Sequence, residues 1–140
     1  MTTTRNDWEQ RFQSLTIEAR AFINGEYRPA ISGDTFECLS PVDGRFLASV
    51  ASTDEADANL AVEVARQSFE SGVWAKKAPA ERKRILIRFA DLILANQEEL
   101  ALLETLDMGK PISDSMSIDI PASANAIRWT AEAIDKIYDE

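Results

Sequence analysis

Phe22-Ile23-Asn24-Gly25-Glu26-Tyr27 sets an Asn-Gly pair between two short apolar runs. That dipeptide accepts the positive φ angles of a type I′ turn, so the stretch predicts a tight β-hairpin. Downstream, Ser40-Pro41-Val42-Asp43-Gly44 separates Thr35-Phe36-Glu37-Cys38-Leu39 from Phe46-Leu47-Ala48-Ser49-Val50 and predicts a second one. Residues 21–51 therefore read as two consecutive hairpins with three or four short strands. Upstream, over residues 1–20, Trp8, Phe12 and Leu15 have the spacing of a short amphipathic helix. A frayed arm fits the same polar stretch.

After Ser52 the period becomes helical. Ser52-Thr53-Asp54-Glu55 has the form of a capping box, with Glu55 three residues after a hydroxyl. Leu60, Ala61, Val64, Ala65 and Phe69 form one stripe, which Gly72 closes. The small alanines imply close packing. A second helix opens at Pro79, where a first-turn proline costs nothing, and buries Ile85, Leu86, Phe89, Ala90 and Ile93. Its charge run Glu81-Arg82-Lys83-Arg84 reads as a solvated face. Asn96 to Glu99 reads as a new cap, Leu102, Leu103 and Leu106 carry a third helix, and Gly109 and Pro111 end it. The remainder is helical with an interruption at Pro121, and its stripe is Ala126, Ile127, Thr130, Ile134 and Ile137. The architecture is hairpins followed by about four helices, with no strand–glycine-rich turn–helix unit for nucleotide phosphates.

Composition narrows the function. Of 140 residues, 45% are hydrophobic and 28% charged, as in an ordinary globular chain. A formal net charge of -9 disfavours nucleic acid and anionic membrane surfaces, which need a basic face. No apolar run approaches the ~18 residues that span a bilayer, and the start has no apolar signal-peptide core, so a cytoplasmic location is expected. One cysteine, Cys38, and no histidine exclude an intrachain disulfide, the common zinc sites and the histidine-based nucleophile devices within this chain.

Several blocks resemble one family. Phe22 to Tyr27, Ser40-Pro41 with Asp43-Gly44, Trp74, and Pro79-Ala80-Glu81-Arg82-Lys83-Arg84-Ile85-Leu86 are similar to the opening of the aldehyde dehydrogenase superfamily. So is Glu104-Thr105-Leu106-Asp107-Met108-Gly109-Lys110-Pro111, the most specific marker. All occur in the family's order, from Ala21 to the chain's end, and match about the first quarter to third of a family member. Asp119-Ile120-Pro121-Ala122 and Ala126-Ile127-Arg128-Trp129 resemble the branch that oxidises amino aldehydes in polyamine and putrescine catabolism, the gamma-glutamyl-gamma-aminobutyraldehyde dehydrogenases. Thr130 departs from that branch, which usually carries an aromatic residue there.

The resemblance implies an α/β parent fold of Rossmann type, of which residues 21–140 are an incomplete dinucleotide-binding domain. It implies NAD or NADP as cofactor, a small-molecule aldehyde as substrate, the rest of an enzyme chain as partner, and a homo-oligomer. In the family a cysteine thiolate attacks the aldehyde, an asparagine and a backbone N–H hold the oxyanion, hydride passes to the nicotinamide, and a glutamate activates water. Those residues lie beyond the part matched here, so this chain alone is expected to be inactive. Cys38, in the early hairpins, is not in the nucleophile's place. The resemblance also places Ile118 and Ala122 on the aldehyde tunnel, with Asp119 as a nearby carboxylate that favours a cationic tail. The alternative is that these three pack or cap the last helix. Asp107, with the carbonyls of Cys38 and Leu39, matches a structural site for a monovalent or divalent cation, a donor set that suits a hard ion. A cap or salt bridge near Lys110 is the other reading of Asp107. Lys110 itself is not in a phosphate loop, since Glu104 and Pro111 break that pattern. The rival to an enzyme segment is a catalytically inactive, truncated interaction module.

Overall fold

The computed structural model describes residues 4–136, which form two compact units. One comprises Ile17–Ser40 and Gly44–Lys77. In it β1 (Ala21–Ile23) pairs antiparallel with β2 (Glu26–Arg28), and β3 (Thr35–Leu39) with β4 (Phe46–Ala51). The hairpins remain two separate two-stranded sheets. Asn24 and Gly25 have φ of 58° and 80°, the pair of positive values a type I′ turn needs. The register sets Phe22 opposite Tyr27, with ring centroids 4.9 Å apart. In the second hairpin the Gly44 N–H donates to the Ser40 carbonyl at 2.8 Å, and a register irregularity falls between Cys38 and Leu39.

Helix α2 (Glu55–Ser71) follows, but its cap is not the predicted one. Asp54, two residues beyond Ser52, is the N-cap, and its reciprocal partner is Asp57 rather than Glu55. Asp54 Oδ1 accepts from Ala56 N–H at 2.8 Å, and the Asp57 carboxylate accepts from Asp54 N–H at 3.3 Å. The same carboxylate also accepts from Ile31 N–H at 3.1 Å, twenty-six residues upstream. Asp57 is 1% exposed, so one buried side chain satisfies the helix start and fixes the segment after β2. Of the α2 stripe, Leu60, Ala61 and Val64 are half-buried, whereas Ala65 and Phe69 are exposed. Gly72, left-handed at φ 73°, ends the helix as predicted.

The other unit comprises Met1–Thr16, Pro41–Asp43 and Ala78–Glu140. Helix α1 (Arg5–Ser14) is capped by Thr4 and Asp7, and Trp8, Glu9 and Phe12 are its half-buried positions. Helices α3 (Pro79–Ala95) and α4 (Gln97–Met108) meet at Asn96. Asn96 occupies the cap position, but its side-chain amide donates back to the Leu92 carbonyl at 2.8 Å instead of capping α4. A three-residue helix α5 (Ile112–Asp114), a π turn (Ser115–Asp119) and α6 (Ile120–Ala133) complete the unit.

Helices α3 and α6 pack through alanine. Ala90, Ala124 and Ala131 are fully buried, as is Ala101 on α4. Leu102, Leu106 and Ile120 supply the larger buried side chains. Two predicted faces need correction. On α3, Phe89 is 51% exposed and Ile85 is also exposed, because Ala90 takes the contact. On α6 the inner positions are Ile120, Ala124, Ile127 and Ala131, so Ala126 and Thr130 face outward; Ile137 lies outside the described residues. The charge run on α3 is not simply solvated either. Lys83 is part-buried and bridges to Glu132 at 2.9 Å and Asp135 at 3.0 Å on the far end of the α3–α6 pair. Arg128 bonds Asp91 across the same helices at 2.5 Å. Many large apolar side chains are left in contact with water, among them Phe36, Phe46, Val62, Phe69, Leu92 and, at 75%, Trp129.

Replacing Asp57 by Ala orphans the Ile31 and Asp54 amides in a buried place, at about 1–3 kcal/mol. Hydrogen exchange at those two amides is expected to quicken by roughly tenfold or more while α2's last turn is unaffected. A uniform change along α2 would contradict the dual role. The Lys83 cluster generates a pH prediction. Hydrogen bonding to Lys83 lowers Glu132 from its ordinary 4.5 and Asp135 from 3.8. A carboxylate lowered on folding contributes stability that is whole above its unfolded value and lost as pH falls through the folded one. Stability from this cluster is thus complete above about pH 4.5 and declines below it, through the region under 3.8. Lys83→Met is expected to flatten that acid slope in urea titrations across pH 2 to 6; an unchanged slope refutes the assignment.

Candidate functional site

The predicted tunnel residues sit together where the interruption at Pro121 was expected. Proline has no N–H, and an α-helix cannot bond through it. The chain responds with a π turn: Ile120 N–H donates to the Ser115 carbonyl, five residues back, and α6 begins with Pro121 in its first turn. Ile118 and Asp119 are the last two residues of that turn, and Ala122 follows in the first turn of α6. Ile118 is 59% exposed and Ala122 is exposed, while Asp119 is half-buried.

Asp119 is not a free carboxylate. Lys110, in the loop after α4, donates its ammonium to Asp119 Oδ2, and Glu104 Oε1 lies 3.7 Å from the same nitrogen. The hydrogen bond to Asp119 raises Lys110 above its ordinary 10.5 against an opposing effect of desolvation, with Glu104 and Asp114 adding to the rise. Lys110 therefore stays charged at any physiological pH. Gly109 sets its position: it ends α4 at φ 75° with its N–H donating to the Thr105 carbonyl at 3.0 Å, and a Cβ there would stand 3.0 Å from the Pro41 ring.

Two further contacts reach the turn from α4. Gln97 Nε2 donates to the Met116 carbonyl, Thr105 Oγ1 donates to Ser115 Oγ at 3.3 Å, and Ser115 is fully buried. Sequence reasoning missed Gln97, Thr105 and Ser115, and it considered Lys110 as a partner of Asp107 rather than of Asp119. Pro121 signalled the interruption but not its partners.

The residues of the expected cation site lie on other elements. Asp107 is exposed on the last turn of α4, in the helical unit, whereas half-buried Cys38 and exposed Leu39 belong to β3 in the hairpin unit. Among the described residues no group of three His, Cys, Asp or Glu side chains is placed to hold a metal ion. All four strands pair antiparallel and no strand–glycine turn–helix unit occurs among the described residues, so they do not fit a dinucleotide's phosphates. A cleft of about 580 Å³, between α1 and the α3–α4 corner, is lined by Arg11, Ser14, Asn96 and Glu98 among others. It contains none of Ile118, Asp119 or Ala122.

A family model described as the aldehyde dehydrogenase family matches residues 27–140. The chain belongs to the aldehyde dehydrogenase family. The NADP/NAD-dependent aldehyde dehydrogenase PuuC of Escherichia coli K12 is 52% identical over 133 residues, which is 95% of this chain and 27% of that protein. A mutant of the P. syringae indole-3-acetaldehyde dehydrogenase AldA, solved with NAD+ and IAA, superposes with a TM-score of 0.97 at 66% identity, over 99% of this chain and 28% of its own. The gamma-glutamyl-gamma-aminobutyraldehyde dehydrogenase of Burkholderia cenocepacia superposes with a TM-score of 0.95 at 52% identity, over 96% and 27% respectively. The chain thus spans about a quarter of the length of the relatives it matches. Those relatives carry the α/β fold of the family, and the hairpins and helices described above are the part they share with this chain.

Proposed function

We propose that this chain is the N-terminal segment of an NAD(P)-dependent aldehyde dehydrogenase of the cytoplasm that oxidises an amino aldehyde to the carboxylic acid. The observation that supports the reading is the family match over residues 27–140, aligned to about a quarter of each relative. On this view the segment supplies outer helices of the dinucleotide-binding domain and, through Ile118, Asp119 and Ala122, one wall of the aldehyde tunnel. The nucleophilic cysteine and the base that activates water come from elsewhere in the enzyme. Cys38 is half-buried on a hairpin strand.

The apolar surface favours a segment of a larger body over a free-standing interaction module. Fully burying a large apolar side chain is worth about 1.5–3 kcal/mol, and the hairpins and helices leave many uncovered. A second substrate class has an observation in its favour. The P. syringae indole-3-acetaldehyde dehydrogenase is more alike than the amino-aldehyde enzyme, at 66% against 52% identity. Asp119 is ion-paired to Lys110, and beside it the wall offers an apolar Ile118 and a small Ala122, which suit an aromatic tail as well as an extended one.

The native gene product is expected to form NADH or NADPH with amino aldehydes, and the 140-residue chain alone to form none. Comparing kcat/KM for gamma-aminobutyraldehyde with that for indole-3-acetaldehyde assigns the class. Turnover by the isolated chain above a blank would overturn the proposed division of labour, and a native product inert toward every aldehyde would favour the interaction module.

A further inference from the structure

The π turn solves one problem and creates another. In a π turn the Met116 carbonyl would accept from the N–H five residues on, which is position 121, and Pro121 has none. The N–H of Ile120, the α-helical partner of Met116, is already committed to Ser115. The Met116 carbonyl is therefore stranded in a part-buried place, and Gln97 Nε2 donates to it. Thr105 fastens the buried Ser115, and Lys110 fastens Asp119. Residues 115, 116 and 119 of the five-residue turn are each held by a side chain from α4 or the loop after it, and Ile118 stands out between them.

We infer that Gln97 and Lys110 are positioning residues for substrate selection: by clamping the π turn they fix the Ile118 side chain against the aldehyde. The inference rests on the reading that Ile118 lines the tunnel. Neither residue touches the reacting atoms. In this reading the wall contributes through the shape that Ile118 gives it, with Asp119 held by Lys110.

The test uses the native gene product and a series of aldehydes from acetaldehyde to long-chain and aromatic ones. Ile118→Ala reports on the tunnel reading itself. Gln97→Leu and Lys110→Met report on the clamp, with Lys110→Arg as the conservative rescue. Loosening the clamp with Gln97→Leu or Lys110→Met is expected to raise KM for the bulky aldehydes roughly tenfold, the scale of a methylene-sized misfit, while kcat for acetaldehyde changes by less than about twofold. Lys110→Arg restores most of the loss. A second readout needs no activity. Pro121→Ala returns an N–H to the turn, so amide exchange at Ile120 is expected to quicken strongly with Gln97→Leu in the Pro121 protein and little in the Ala background. If Ile118→Ala leaves every KM unchanged, the tunnel reading fails and the inference with it. If Ile118→Ala shifts KM while Gln97→Leu and Lys110→Met do not, or if Gln97→Leu acts equally in both backgrounds, the clamp is refuted and the tunnel reading stands.

Discussion

Alanine decides how the helices of the larger unit meet. With only a methyl at Ala90, Ala124 and Ala131, the backbones of α3 and α6 approach closely, and Ala101 does the same for α4. Everything else on these helices is arranged around that contact. The long apolar side chains Ile85, Phe89, Leu92 and Trp129 are displaced to the outside, and polar clasps form at the margins, Lys83 to Glu132 and Asp135, Arg128 to Asp91. The result is a core of small residues and an unusually apolar exterior. An exterior of this kind is a large driving force toward cover, which is why a segment of a bigger enzyme accounts for it better than a free domain does.

Two polar devices do comparable jobs in the two units. In one, the Asp57 carboxylate collects the amides of Asp54 and Ile31; in the other, the Gln97 amide meets the carbonyl that Pro121 strands at Met116. Each answers a backbone group that local geometry leaves unpaired where water is scarce. Each also ties a helix end to a residue distant in the chain, so local secondary structure and tertiary placement are fixed by a single side chain. The Lys110–Asp119 pair adds charge to the second device and withdraws Asp119 from any role as a free anion.

What was legible in the amino-acid order was whatever short-range rules govern. Asn24-Gly25 announces its turn because few residues accept two positive φ angles in succession, and Gly72 and Gly109 announce helix ends for the same reason. The α2 cap was misplaced because Ser52 with Glu55 and Asp54 with Asp57 fit one pattern equally well. What separates them is Ile31 N–H, a partner twenty-six residues away. On α3 the reading placed Ala90 inside, as found, but set Ile85 and Phe89 beside it; on α6 it took Ala126 and Thr130 for the inner face in place of Ala124 and Ala131, because alanine fits either side of a helix. Pro121 announced an interruption, and the π turn Ser115–Asp119 falls just before it. Gln97, Thr105 and Ser115 stayed hidden because their pairing follows from the π turn, which depends on how α4 packs. The cation set of Asp107 with Cys38 and Leu39 rested on family likeness alone.

The most direct test is the intact mass of the native gene product. With 27% of the relatives' length covered here, the account predicts a mass between three and four times that of these 140 residues. A mass matching 140 residues would contradict it: the product would be unable to oxidise aldehydes unaided, and the exposed apolar surface would belong to an interaction module.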